Sequence, residues 1–326
     1  FFFKQKTAYE IRNCDWSSDV CSSDLEPAAD GTISVVVPAT DAKPASATTP
    51  PQPLPTGPAA ELLSAALEPI DPSRVGDPSL YARPLALLEA LERSGDRSRR
   101  LWIAQAYWKV STAFAGVRFA AEAVERLEMI APGGDPHDRA ALDVATADAK
   151  ADLAEARADL VAAQQELVDL VRLPSQELPP WPVDRPLATP YETHFDVIFA
   201  NRPATGRIRA IDRMLPSKHE AIEVRATAVD AASKALDMAE ADHAKGKRPI
   251  EAVIAAQAAL AAQRRQFLAA ARAYNLDIAE YAMAVADPSV PDDRFVSMLI
   301  GTPIQWRGPS QVAPVGGTAP EAAVPR

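Results

Sequence analysis

Hydrophobic side chains recur every seven residues along four stretches of the chain, and between the rows the sequence is mostly alanine and charge. From about Arg99 to Ile130, Ile103, Val110, Val117 and Val124 form one row, and Tyr107, Phe114 and Ala121 stand four residues after the first three. That a/d spacing predicts a helix with one seam for a partner helix. Pro132-Gly133-Gly134-Asp135-Pro136 ends it and reverses the chain. A second helix is predicted from about Asp138 to Arg172, with Leu153, Leu160 and Leu167 in one row and Leu142, Ala149, Ala156, Ala163 and Leu170 in the other. Leu173-Pro174 ends it, and a Pro-rich crossing runs to Pro190 with Pro179-Pro180-Trp181-Pro182 at its centre. One helical piece is expected around Tyr191 to Ala200.

A third helix is predicted from about Pro203 to Ala244, with Ile208, Leu215, Ile222, Val229 and Leu236 seven apart. Pro216 predicts a kink or a fresh start within it. Gly246 with Pro249 makes a second reversal. The fourth helix is predicted from about Ile250 to Ala286, with Val253, Leu260, Phe267, Tyr274 and Tyr281 in one row and Ala271, Ile278 and Val285 in the other. Asp287-Pro288 ends it, and the apolar piece Phe295 to Ile300 is expected to pack back. The fold class expected is therefore all-α: two long antiparallel coiled-coil hairpins, about 99–172 and 203–286, related as an internal repeat. Leu153 matches Leu260 and Leu160 matches Phe267, while Glu128-Met129 matches Asp237-Met238. Helices of this length reach about 50 Å. The a and d rows bury a single seam, so such hairpins tend to assemble laterally.

Composition supports helices: aromatic residues are only 6%, too few, with Val, Ile and Thr, for an all-β core. The 30 prolines gather in the crossing and toward the ends. Residues 26–58, rich in Pro, Ala and Thr, are expected to be a disordered linker with one short strand over Thr32–Val37, and residues 305–326 a disordered tail. Ala59–Leu67 and Pro84–Arg93 read as short amphipathic helices, so the helical domain is expected over 59–304. Residues 1–25 share no period with the rest and resemble translated sequencing-adapter contamination. They hold both cysteines, Cys14 and Cys21, which removes disulfide, zinc-thiolate and cysteine-nucleophile chemistry from the remainder. No run of 18 apolar residues encodes a membrane-spanning helix. A net charge of −10 argues against a general nucleic-acid binder.

The stretch His243-Ala-Lys-Gly246-Lys247-Arg248-Pro249-Ile-Glu-Ala-Val253-Ile254-Ala-Ala256-Gln257 resembles the hairpin tip of the TolC family of outer-membrane efflux proteins: a Gly at the tip, then a Val-Leu-like pair, then Ala-Gln. Tyr274-Asn275 resembles the aromatic and Asn near the end of that family's helix. Asn201-Arg202-Pro203 resembles the start of its second repeat, and Ala106-Tyr107-Trp108 the first coiled helix. The resemblance spans about Leu85 to Ala286. It implies a homo-oligomer, a trimer in that family, that encloses a helical duct through the periplasm and docks to a periplasmic adaptor protein, within the cell envelope at the outer membrane or periplasm. The contacts implied are the tips, Pro132, Gly133, Gly134 and Asp135 with Gly246, Lys247, Arg248 and Pro249. The sequence departs from the family where barrel strands belong. Arg202 to Asp230 and Arg83 to Tyr107 both read as helix, so no β-barrel is evident and membrane association falls to segments not evident in this chain. The alternative is a coiled-coil scaffold of the cell envelope without a pore.

Catalytic signals are weak. Lys245-Gly246-Lys247-Arg248 lacks the glycine spacing and the Ser/Thr of a phosphate loop. His219 and Glu223, four apart on a helix, lack a third metal ligand and read as a solvated face. His137, His194 and His243 stand apart and favour caps or loops. Glu220, Glu223 and Asp230 read as exposed charge. Arg207, Arg209 and Arg213 are expected to pair with acids along the helix or between protomers. Tyr107, Trp108, Phe114 and Phe119 read as core, whereas Trp102 and Trp181 fit either interfacial anchors or burial beneath the crossing. No catalytic, metal or cofactor site is expected, and no enzyme activity. If residues 1–25 are foreign, residues 26–326 alone should melt at the same temperature as the full chain, a comparison that thermal denaturation by circular dichroism makes directly.

Overall fold

In the computed structural model, residues 57–68, 82–131, 135–174, 178–286 and 289–303 are described. Helix dominates them. The elements, in chain order, are α1 (Pro58–Ala66), β1 (Arg83–Leu85), α2 (Leu87–Ser94), a 3-10 turn (Arg97–Arg99), α3 (Arg100–Met129), α4 (Pro136–Val171), β2 (Pro180–Pro182), β3 (Asp184–Pro186), α5 (Phe195–Ile198), α6 (Gly206–Ala244), α7 (Ile250–Val285), α8 (Asp292–Ser297) and β4 (Ile300–Pro303). The fold is mostly helical, as expected of an all-α protein, and four short strands accompany the helices among the described residues. β1 pairs in parallel with β2, Arg83 opposite Pro180 and Leu85 opposite Pro182. β3 pairs antiparallel with β4 across a bulge. The prolines explain why these strands stay short. They cannot donate, so the β1–β2 ladder uses the Arg83 N–H to the Pro179 carbonyl (2.8 Å) and the Val183 N–H to the Leu85 carbonyl (3.2 Å).

The seven-residue rows become the core. Ile103, Val110 and Val117 of α3 are buried, as are Leu160 and Leu167 of α4, the whole row Ile208 to Leu236 of α6, and Val253, Leu260, Phe267, Tyr274 and Tyr281 of α7. α3 packs on α4 and on α7, and α7 packs on α6. Ion pairs fix the order of contact: Lys109 near the start of α3 meets Glu166 near the end of α4 (2.6 Å), and Glu128 near the end of α3 meets Lys150 (2.7 Å). Likewise Arg207 at the start of α6 meets Glu280 near the end of α7 (2.8 Å).

Several boundaries differ from the sequence reading. α6 is unbroken through Pro216, which faces solvent. A mid-helix proline costs about 3 kcal/mol; here buried Ile208, Ile211, Leu215 and Ile222 anchor the helix on both sides of it. The helix predicted over Pro84–Arg93 starts only at Leu87, because β1 takes the preceding residues and the Asp184 carboxylate caps α2 by accepting from the Leu87 N–H (2.7 Å). The stretch Arg83 to Tyr107 is therefore not helical throughout. Of Tyr191–Ala200 only Phe195–Ile198 is helical. The segment before it, without regular secondary structure, is held along α7. The Tyr274 and Tyr281 hydroxyls donate to the carbonyls of Thr189 and Thr193 (2.8 Å each). The Asn275 amide donates to the Leu187 carbonyl (2.8 Å) and accepts from its N–H (2.7 Å). The expected strand over Thr32–Val37 lies outside the described residues, as do the linker (apart from Gly57 and Pro58) and the tail.

One buried knot joins the crossing to the helices. The Tyr107 hydroxyl accepts from the N–H groups of Val183 (3.0 Å) and Asp184 (3.1 Å), and its proton faces the Leu85 carbonyl and the Asp184 Oδ2, both at 2.8 Å. Trp181 is buried and meets Phe114 edge-on, which settles its place beneath the crossing, while Trp102 is 57% exposed. Burial, then the neighbouring Asp184 charge, pushes the Tyr107 phenol well above its usual pKa. Burial also pushes Tyr191 and Tyr274 up to about 12 and raises Tyr281. A phenol that resists ionisation in the fold but ionises near 10 when unfolded contributes stability that is complete below pH ~10 and declines above it. Urea denaturation should therefore show a falling midpoint between about pH 10 and pH 12. Tyr107→Phe should cost about 1–3 kcal/mol at neutral pH by unmaking the knot and should show a shallower alkaline decline. An equal decline in the variant would remove Tyr107 from the account.

Candidate functional site

The second reversal is built by a helix-ending motif. Gly246, at φ 67°, sits in the left-handed region just beyond α6. Its N–H donates to the His243 carbonyl (2.8 Å), and the Lys247 N–H donates to the Asp242 carbonyl (2.9 Å). This paired closure satisfies two of the orphan carbonyls at the helix end and favours glycine at that position. The His243 Nδ1 lies 3.1 Å from the Arg248 carbonyl, and the Arg248 guanidinium lies 3.5 Å from Asp242. Pro249 then opens α7 as its N-cap. Lys245, Lys247 and Arg248 are exposed, so the turn presents a basic rim.

At the first reversal Asp135 caps α4, accepting from the His137 N–H (2.9 Å), and Pro136 occupies the first helical turn. Pro132, Gly133 and Gly134 lie outside the described residues. The two reversals meet: Ile130, Ala131 and Asp138 from the first line the same cleft, of about 990 Å³, as His243, Gly246 to Pro249 and Val253 from the second. Asp135 does not line it. Beneath the cleft Arg126 of α3 reaches α6, donating to Asp237 (2.6 Å) and to both oxygens of Glu240 (2.9 and 3.1 Å). The bond to Glu240, more than the one to Asp237, raises the Arg126 pKa. Sequence reasoning missed Arg126 and the 70% exposed Met129, which also lines the cleft. The signal available for Met129 was its place outside the seven-residue rows.

A second concavity, of about 700 Å³, lies between α3, α4 and α7. It is lined by Asp148, Asp152, Glu155 and Asp159 of α4, by Arg264, Arg265 and Arg272 of α7 and by Gly116 of α3. Arg264 lies over the Phe119 ring (4.4 Å) and pairs with Glu122 (2.9 Å); burial lowers its pKa against the pull of that carboxylate. The remaining candidates separate. His219 and Glu223 are not a solvated face. His219 Nε2 is 3.2 Å from the Ala188 carbonyl and 3.7 Å from Glu223, and Glu223 accepts from the Ala59 N–H at the start of α1 (3.3 Å). Among the described residues no group of three His, Cys, Asp or Glu is placed to hold a metal. Arg207 pairs across to Asp277 (3.1 Å) and Glu280 of α7, within the chain but not along its own helix. Arg209 and Arg213 are exposed.

Compared with known proteins, the chain matches no family model and no curated protein. The reversals therefore stand on their geometry. With no atom near its missing Cβ, Gly246→Ala should suffer only the left-handed backbone, about 1–2 kcal/mol. Chemical denaturation should show that loss with helical content unchanged.

Proposed function

We propose that the helix pairs α3–α4 and α6–α7 are antiparallel coiled-coil hairpins of a duplicated unit, and that the protein is a TolC-like efflux component of the cell envelope. Its mechanism is passive. Laterally assembled hairpins form a helical duct, and the joined tips dock to a periplasmic adaptor. The observation that carries this reading is the shared cleft: both reversals lie at one end, with Arg126 tying α3 to α6 beneath them and a basic rim of Lys247 and Arg248 above. Two ion pairs in reversed order along α3 and α4, and one joining the start of α6 to the end of α7, support the hairpins. The resemblance of His243–Gln257 to the family's tip supports the efflux role.

A second reading, a coiled-coil scaffold of the envelope without a pore, draws on another observation. The stretch where barrel strands would interrupt the second repeat is helix from Gly206 onward, and β1 in the first is three residues long, against about 9–11 for a spanning strand. Among the described residues no helix is long and apolar enough to cross a membrane. Deleting the gene in the organism that carries it should raise accumulation of a fluorescent efflux dye several-fold. A folded Lys247→Glu/Arg248→Glu variant should fail to restore efflux. Unchanged dye accumulation in the deletion strain would favour the scaffold.

A further inference from the structure

We propose that the concavity between α3, α4 and α7 binds a small amphiphilic amine, its ammonium group held by Asp148 and Gln257 and its apolar part laid along a trough of alanines. The proposal goes beyond the export reading and does not rest on it. At about 700 Å³ the concavity has the size that encloses a small organic ligand. Its apolar lining includes Ala120, Ala123 and Leu127 of α3 and Ile254, Ala258 and Ala261 of α7. Small side chains there keep the trough open. Gly116 continues the lining, and no atom lies within 4 Å of where its Cβ would stand. One polar group in this lining has no place in the packing. Gln257 is only 6% exposed, and its carbonyl oxygen has no hydrogen-bond partner. Buried acceptors are nearly always paired, because an unpaired one has given up its bonds to water. The last torsion of a glutamine side chain is soft, so this oxygen can turn to a donor inside the concavity.

Charge decides what that donor is. Three of the four bases in the lining are already matched: Lys109 with Glu166 (2.6 Å), Arg264 with Glu122 (2.9 Å) and Arg265 with Asp152 (3.2 Å). Of the four acids that α4 contributes, Asp152 is the one with an ion pair among the described residues. Asp148, Asp152, Glu155 and Asp159 follow one another at four- and three-residue steps along one helix face, where like charges repel. The lining is therefore in excess of negative charge, and a cation relieves it. The helices also fix where the cation sits. α4 and α7 both start at the tip cleft and run away from it together. The Arg265–Asp152 pair marks one level on them. Seven residues on, Arg272 stands level with Asp159. Four residues back, Asp148 stands level with Ala261, so no base faces it. Gln257 is four residues further back, about 6 Å at 1.5 Å per residue. An ammonium nitrogen midway between the two levels is about 3 Å in height from each, the length of a hydrogen bond. It donates to the Asp148 carboxylate and to the Gln257 oxygen. This head site requires N–H groups on the cation and turns away a carboxylate, which would meet Asp148 as a like charge.

Isothermal titration calorimetry on the full chain tests this, with decylammonium chloride kept below its micelle-forming concentration. One decylammonium should bind per chain. Decyltrimethylammonium, which has no N–H to give, should bind several-fold more weakly, and decanoate should not bind. Asp148→Asn should weaken decylammonium binding by about tenfold or more, the loss of a charge-assisted hydrogen bond. Gln257→Leu should weaken it several-fold. Both variants should keep their helical content by circular dichroism. Asp230→Asn removes an exposed acid of α6 that does not line the concavity, and should leave binding unchanged. No binding of decylammonium would overturn the proposal. So would decanoate binding as tightly, many decylammonium ions per chain, or equal affinity in the Asp148→Asn and Gln257→Leu variants. Should a variant lose helicity, the comparison of the three ligands on the unaltered chain decides the matter by itself. None of these outcomes bears on export, which the deletion strain tests separately.

Discussion

The Tyr107 hydroxyl and the Asp184 carboxylate hold the non-helical part of this protein to its helices. The crossing between the helix pairs contains Pro179, Pro180 and Pro182, which have no N–H to offer. The N–H groups that remain beyond them, at Val183 and Asp184, converge on one buried oxygen of α3, and the Asp184 side chain caps α2 in turn. Residues from β1, α2, α3 and β3 thereby become neighbours through side chain–backbone bonds beside the three-residue β1–β2 ladder. Asn275, Tyr274 and Tyr281 of α7 repeat the device farther along, each bonding the backbone of the irregular segment over residues 187–193. A half-satisfied version of either cluster would leave buried polar groups unpaired at a cost of several kcal/mol.

The opposite end is made differently. There the backbone closes on itself at Gly246, the Asp135 cap starts α4, and Arg126 crosses between helices to a pair of carboxylates. Local sequence suffices for the turn, which is why its glycine could be read from spacing alone. The clamp is long-range and could not. Arg126 stands 114 positions from Glu240, and nothing in a one-dimensional pattern links them.

The same division accounts for what the sequence reading reached. Rows of Ile, Val, Leu and Tyr at seven-residue spacing became buried rows, because burial follows periodicity directly. Pro216 predicts an interruption on local grounds, and packing on either side of it overrides that. His219 and Glu223 read as solvated because their partners, Ala188 and Ala59, come from distant segments. The α6 boundary was nearly right, since Thr205 caps it by accepting from the Ile208 N–H, whereas α2 started late because its cap comes from Asp184. The outer faces of α4 and α6, where Val144, Val161, Val224 and Met238 stand exposed among alanines, are hidden in the sequence for another reason. Alanine is a helix former before it is a hydrophobe, so its period is masked until exposure separates the faces.

The two ends differ in what can loosen them. Tyrosine-to-carbonyl bonds at the crossing are short-range and sheltered, so dissolved ions barely reach them. The guanidinium–carboxylate clamp beneath the tips is partly exposed, and mobile ions weaken such pairs over a distance of about 8 Å at physiological ionic strength. Ionic strength thus acts as a dial on one end only. Salt approaching 1 M, where screening reaches down to about 3 Å, weakens the clamp and leaves the sheltered bonds of the crossing as they are.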